Sequence, residues 1–169
     1  AKQIQEKQSE ALTAFDLGKA NTNKSSFMAN AKEPLNAIYK NSNVLVLRSA
    51  RVWMIQSIIE AMNKYRAIRV DLLGQDAVIE EFKSNTGVKK AYSYGDGFFS
   101  PETIDPYLID RLNTKAYDFI LIPMANNHLE GYQNVTEVAR LIEPKFILGI
   151  YPEGNTHIIE QKKNTKVLI

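Results

Sequence analysis

Apolar residues fall in short blocks along this chain, and the blocks alternate between two spacings. Val44-Leu45-Val46-Leu47 is an unbroken apolar run, followed by Arg48-Ser49-Ala50 and then by Ile55, Ile58, Ile59 and Met62 at i, i+3, i+4 and i+7. The run fits a strand buried on both faces, and the later spacing puts four side chains on one face of a helix reaching about Tyr65. The cycle then repeats. Ala67 to Leu73, with Ile68, Val70 and Leu72 in alternation, predicts a second strand closed by Gly74-Gln75. Asp76 is placed as the N-cap of a short helix through Val78, Ile79 and Phe82.

Val88 to Tyr94 predicts a third strand running into the turn signal Gly95-Asp96-Gly97. Asp105-Pro106 suits an N-cap and first helical position for a helix through Leu108, Ile109 and Leu112. Tyr117 to Ile122 predicts a buried fourth strand stopped by Pro123, and the loop from Met124 to Gly131 leads to a helical face of Val135, Val138, Ala139 and Ile142. Phe146 to Ile150 is the fifth strand, ended by Tyr151-Pro152-Glu153-Gly154-Asn155; residues 156–161 and 165–169 add one or two more.

Strands joined by crossovers with helical periodicity specify an α/β fold. The expected architecture is an open, mostly parallel sheet of five to six strands with helices on both faces, Rossmann-like, over residues 43–169. Residues 1–42 carry no strand pattern. Ile4, Ala11, Leu12 and Phe15 lie close to one helical face, and a polar loop at 21–26 leads to a second helical stretch with Phe27, Met28, Leu35 and Ile38. These residues are expected to form a helical arm, packed on the domain or linking it to an upstream one. The chain opens on Ala1 and closes on the apolar run Lys166-Val167-Leu168-Ile169, which favours a piece of a longer protein.

Composition narrows the function classes. With 169 residues, one core is expected. A formal charge of +2 is too weak to point to nucleic acid or an anionic membrane, so no nucleic-acid partner is expected. The absence of cysteine excludes disulfides, thiolate metal sites and thiol nucleophiles, and two distant histidines make no metal site. No stretch has the roughly 20 apolar residues of a membrane span, and the first residues lack a signal-peptide core, so the expected location is cytoplasmic.

In an open parallel sheet, small molecules bind beyond the carboxyl ends of the strands, beside the point where strand order reverses. The loops to consider are therefore Arg48 to Arg51, Gly74-Gln75, Gly95 to Gly97, Pro123 to His128 and Tyr151 to Asn155. After the first strand the chain reads Ser49-Ala50-Arg51-Val52-Trp53-Met54, with no glycine where a dinucleotide fingerprint needs three. No phosphate-binding G-x-x-x-x-G-K-[ST] loop and no cobalamin-type D-x-H-x-x-G stretch occurs either. Arg48 and Arg51 flank a helix N-terminus, which already favours an anion; the alternative is two solvated or ion-paired arginines. Asn126, Asn127 and His128 are three hydrogen-bonding side chains on one loop, suited to a polyhydroxyl compound or simply polar as loops are. Glu153 can accept a hydroxyl or act as a base, yet has no second carboxylate at a defined spacing and also reads as a turn residue. The candidate ligand-binding set is Arg48, Ser49, Arg51, Gln75, Asn126, Asn127, His128 and Glu153; no catalytic residue and no metal ligand is assigned.

The order of these segments resembles a known family. Asn43 to Leu47, the helix to Tyr65, IRVDLLGQ at 68–75, VKKAYSY at 88–94, YDFILIP at 117–123, NVTEVARLIEP at 134–144 and ILGIYPEG at 147–154 together resemble the N-terminal half of two-domain GT-B glycosyltransferases. The likeness is to the heptosyltransferase-like group, where a Tyr-Asp before the fourth strand is common. It implies the acceptor-side half of a larger sugar transferase acting in bacterial cell-surface polysaccharide assembly. Such a half binds a sugar or sugar phosphate, while a further domain of the same longer chain holds the nucleotide-sugar substrate; no other cofactor is implied. The family carries Gly-Asp after its first strand, and here that loop is Ser49-Ala50-Arg51, without a carboxylate. The fragment is therefore not expected to transfer sugar alone. The competing expectation is a non-catalytic interaction domain presenting exposed Phe98 and Phe99, and a weaker one is a small nucleotide- or flavin-binding domain.

Overall fold

A computed structural model describes residues 38, 41–66, 68–126 and 131–162. The expected helical arm, Asn127 and His128, and the possible last strand at 165–169 lie outside the described residues. Within them the chain forms six strands: β1 (Val44–Leu47), β2 (Val70–Gly74), β3 (Val88–Ser93), β4 (Phe119–Pro123), β5 (Phe146–Ile150) and β6 (Thr156–Gln161). Four α-helices connect them: α1 (Val52–Ala61), α2 (Asp76–Phe82), α3 (Pro106–Asn113) and α4 (Gln133–Ile142). This is the mostly parallel α/β architecture that the apolar pattern predicts.

The sheet order is β3-β2-β1-β4-β5-β6. All neighbours are parallel except β5 and β6, which are antiparallel. From β1 the chain steps outward to β2 and β3, then returns to the other side of β1 and steps outward again. Crossovers of one hand put their helices on opposite faces when the direction of travel reverses. Accordingly, residues of α1 and α2 pack with Val44, Val46, Leu72 and Leu121 in one core. Residues of α3 and α4 pack with Leu45, Leu47, Ile120 and Ile122 in the other. Successive residues of β1 and β4 thus feed opposite cores, which is why both read as unbroken apolar runs.

Several boundaries differ from the sequence expectation. The second strand begins at Val70 and ends on Gly74, because Gly74 still pairs with Ser93 of β3. Asp76 is the first helical residue and Gln75 the N-cap, whose side chain makes no capping bond; Asp76 Oδ1 instead accepts a hydrogen bond from Ser93 Oγ. Pro123 closes β4 from inside the strand, pairing with Ile150, since a strand's last residue can forgo an N–H. The α3 cap is as the sequence predicts, with Asp105 accepting from the Tyr107 N–H at 2.9 Å and Pro106 opening the helix. Helix α1 loosens into a π turn at Met62–Arg66.

The amino ends of the central strands are fastened by Asp118. Its carboxylate accepts the Asn43 N–H at 2.8 Å and pairs with Lys145 Nζ at 3.0 Å, while its carbonyl accepts the Phe146 N–H at 2.9 Å. One residue so holds the entries to β1, β4 and β5. No helix among the described residues is long and apolar enough to cross a membrane.

Gly87 shows how closely the π turn approaches β3. A Cβ there would stand 2.6 Å from Asn63 Nδ2 and 2.7 Å from Ile59 Cγ2. Asn63 Nδ2 also donates to the Gly87 carbonyl and to Ile59 O, so it has no free direction to move. Gly87→Ala is expected to cost about 1–3 kcal/mol by overpacking, read as a lowered midpoint with an unchanged m-value in urea unfolding.

Candidate functional site

The reversal of strand order falls between β1 and β4, so the loops leaving these two strands border the crevice that such folds use. The β1 ladder continues one residue beyond the strand, with Arg48 N–H donating to Leu73 O at 2.8 Å. Ser49 then turns inward. It is buried, and its hydroxyl donates to the Pro123 carbonyl at 2.7 Å, joining the end of β1 to the end of β4. Tyr132, fully buried ahead of α4, completes the seam: its hydroxyl accepts the Ala125 N–H at 2.7 Å and donates to Ser49 O at 3.3 Å. Ser49 therefore forms the floor of the crevice, and its proton is committed to a carbonyl.

Arg48 leans toward β2. Its Cβ stands 3.1 Å from where a Cβ on Gly74 would be, so the glycine gives the arginine its passage. Its Nη1 lies 3.5 Å from Gln75 Oε1, and Gln75 Nε2 donates to Gly97 O at 3.0 Å. The 95–97 turn is held in turn by the Asp76 N–H on Gly95 O, and Gly95 and Gly97 both take positive φ. The sequence reading of Gly95-Asp96-Gly97 as a turn matches this geometry. Arg48, Gln75 and the Gly97 carbonyl so form a connected polar ledge above β1, β2 and β3.

The Arg48 guanidinium is only partly solvated, and its Nε is buried with no hydrogen-bond partner. Burial holds its pKa below the usual arginine value, the charge of Arg51 lowers it further, and Glu81 partly offsets both. Arg51 is the N-cap of α1, provides no side-chain cap, and is followed by no acidic residue in the first turn. The positive end of this ten-residue helix thus faces two arginines without a carboxylate of its own.

The other candidates lie farther along the rim. Asn126 is half-buried in the loop after β4, while Asn127 and His128 lie outside the described residues. Glu153 is exposed in the tight turn from β5 to β6, where Gly154 N–H donates to Tyr151 O and Tyr151 N–H to Asn155 O. Two strand spacings, about 10 Å, separate that turn from β1. The geometry therefore brings together Arg48, Arg51 and Gln75, seals Ser49 beneath them, and leaves Glu153 on a separate turn.

Two features escaped the sequence. Tyr132 reads as one more aromatic after a glycine, although its hydroxyl closes the crevice floor. Phe99, expected to be exposed with Phe98, is buried and stacks on Tyr94 at 4.5 Å between centroids, so the predicted aromatic contact pair does not exist as a surface. Apolar residues in loops do pack inward when a neighbouring ring offers a face. Among the described residues no group of three or more His, Cys, Asp or Glu side chains could hold a metal ion. Comparison of the chain with protein-family models, with curated proteins and with solved structures found no match in any of the three.

Tyr132 offers a direct check of the seam. Burial pushes its pKa up to about 12, so the neutral hydroxyl is favoured in the folded state. That contribution is complete below about pH 10 and is lost between about pH 10 and 12, as the unfolded chain ionises first. Tyr132→Phe is expected to lose about 1–3 kcal/mol at neutral pH through the unpaired Ala125 N–H. Its stability should also fall less steeply than the parent's above pH 10, measured by urea unfolding across that range.

Proposed function

We propose that this domain binds a small anionic polyhydroxyl compound, a sugar or sugar phosphate, at the carboxyl edge of its sheet. In this reading Arg48 and Arg51 hold the anionic group at the open N-terminus of α1. Gln75 and Asn126 supply hydrogen bonds to hydroxyls on either side. The supporting observation is the arginine pair itself: the Arg51 charge lowers the proton affinity of Arg48, whose Nε is buried and unpartnered, at the start of a helix with no acidic residue in its first turn. An anion relieves the repulsion, fills the vacant hydrogen bond and meets the helix dipole at once.

The resemblance of the segment order to heptosyltransferase-like GT-B enzymes gives this site a role. The domain would be the acceptor-side half of a sugar transferase, with the nucleotide-sugar donor bound by another domain. Arginine suits that work because its planar fork grips a phosphate or carboxylate with two parallel bonds. With no carboxylate in the 48–51 loop, the half orients an acceptor and does not itself deprotonate it.

Titration of the isotope-labelled protein with a hexose 1-phosphate at low salt is expected to shift the amide signals of residues 48–53 and 75. Arg48→Ala/Arg51→Ala should weaken that binding by at least about tenfold, or about 1.4 kcal/mol. Arg51→Ala alone, whose side chain is not packed beneath Gly74, keeps the test open should the double variant unfold. Equal affinity in a folded variant, or no shifts at this rim at millimolar ligand, removes the assignment.

A further inference from the structure

The opposite edge of the sheet holds a cavity of about 480 Å³, within the size range of small-molecule sites. It lies beneath the amino ends of β1, β2 and β4, and Ser42, Arg69, Asp71, Lys89, Lys115 and Tyr117 line it. Asp71 is the second residue of β2 and is buried on the α3 side of the sheet. One of its oxygens, Oδ2, accepts the Tyr117 hydroxyl at 2.6 Å. The other, Oδ1, is buried with no hydrogen-bond partner, and so is Ser42 Oγ. Burial, and next the Asp71 hydrogen bond and charge, push the Tyr117 pKa strongly upward, so its proton stays on the phenol.

Leaving a buried carboxylate oxygen and a buried hydroxyl unpaired is costly, and native proteins rarely do so without a reason. Around this floor stand Arg69, Lys89 and Lys115, all exposed, with no ion pair to a carboxylate among the described residues. Three cationic side chains against one carboxylate leave a surplus of two positive charges at the mouth. The floor therefore asks for a hydrogen-bond donor and an acceptor, and the mouth for a dianion.

We propose that this cavity is a second binding site, taking a small phosphate monoester of a polyol. A ligand hydroxyl donates to Asp71 Oδ1 and accepts from Ser42 Oγ–H, while Lys89 and Lys115 hold the phosphate. The site is independent of the carboxyl-edge rim, since none of its residues borders that crevice.

Glycerol 1-phosphate, inorganic phosphate and glycerol are the probes, followed by amide shifts on the full chain. Glycerol 1-phosphate is expected to move the signals of residues 42–44, 69, 89 and 115, with inorganic phosphate weaker by at least about fivefold and glycerol weaker still. Lys89→Ala/Lys115→Ala, which alters only exposed side chains, should lower affinity by at least about tenfold while the protein stays folded, with only the small loss of stability expected from removing a cation beside the end of α3. Ser42→Ala should lower affinity for glycerol 1-phosphate while leaving that for inorganic phosphate unchanged, a split that loss of bulk charge cannot produce. Shifts confined to residues 48–53 and 75, unchanged affinity in the lysine variant, or contacts from residues 1–37 to the Tyr117 ring would each overturn the proposal.

Discussion

Burial of β1 and β4 on both faces is the constraint from which the rest follows. Each of these strands gives alternate residues to two cores, so each needs helices above and below. The chain meets that need by winding outward from β1, returning, and winding outward the other way. Such a path creates one place where adjacent strands send their following loops in opposite directions. The Ser49–Pro123 and Tyr132–Ser49 hydrogen bonds close the floor of that opening, so the same central pair that builds the cores also seals the base of the crevice.

The fold was legible because periodicity reports burial, and burial is what fixes these elements. Val44 to Leu47 and Phe119 to Ile122 are too short for helices and read as doubly covered strands, and the i, i+3, i+4, i+7 sets in α1 and α4 read as single helical faces. Boundaries were less legible where a backbone partner outweighed local preference. Gly74 stays in β2 because Ser93 pairs with it, and Asp76 forgoes capping because the Ser93 hydroxyl is within reach. Neither partner lies within fifteen residues of the position it decides, so no local pattern could reveal it.

The candidate site was legible only as a place. Strand order predicts which loops border the crevice, and Arg48, Arg51 and Gln75 do stand together there. What the pattern could not say is that Ser49 faces inward, that Tyr132 meets it, or that Phe99 packs on Tyr94. The first two depend on contacts across 74 and 83 residues of chain, and the third on a ring-stacking contact that loop residues show no periodic pattern for. The Tyr117-Asp118 pair, part of the resemblance to glycosyltransferases, serves here to fasten the sheet's amino edge: Tyr117 holds Asp71, and Asp118 holds Asn43 and Lys145. A signal for the lower cavity was present all the same, because Asp71 is a carboxylate inside an otherwise apolar strand and such residues are rarely buried without a partner.

Helix polarity explains why both edges draw attention. Each helix follows a parallel strand, so its positive end points to the carboxyl edge of the sheet and its negative end to the amino edge. Stability alone would place carboxylates at the first edge and cations at the second. Lys115, just past the end of α3, obeys that rule and needs no ligand to explain its sign. Arg48 and Arg51 break it, adding positive charge beside the unneutralised start of α1. Asp71 breaks it in the other direction, as a carboxylate at the amino edge with one oxygen unpaired. Asp118 at the same edge is compensated by the Asn43 N–H and Lys145, whereas Asp71 Oδ1 and Arg48 Nε are buried with no hydrogen-bond partner. In the two proposed sites the demands differ: at the carboxyl edge an anion would meet Arg48 and the start of α1, whereas at the amino edge a hydroxyl donor would meet the unpaired Asp71 oxygen and the phosphate would rest on the lysines at the mouth.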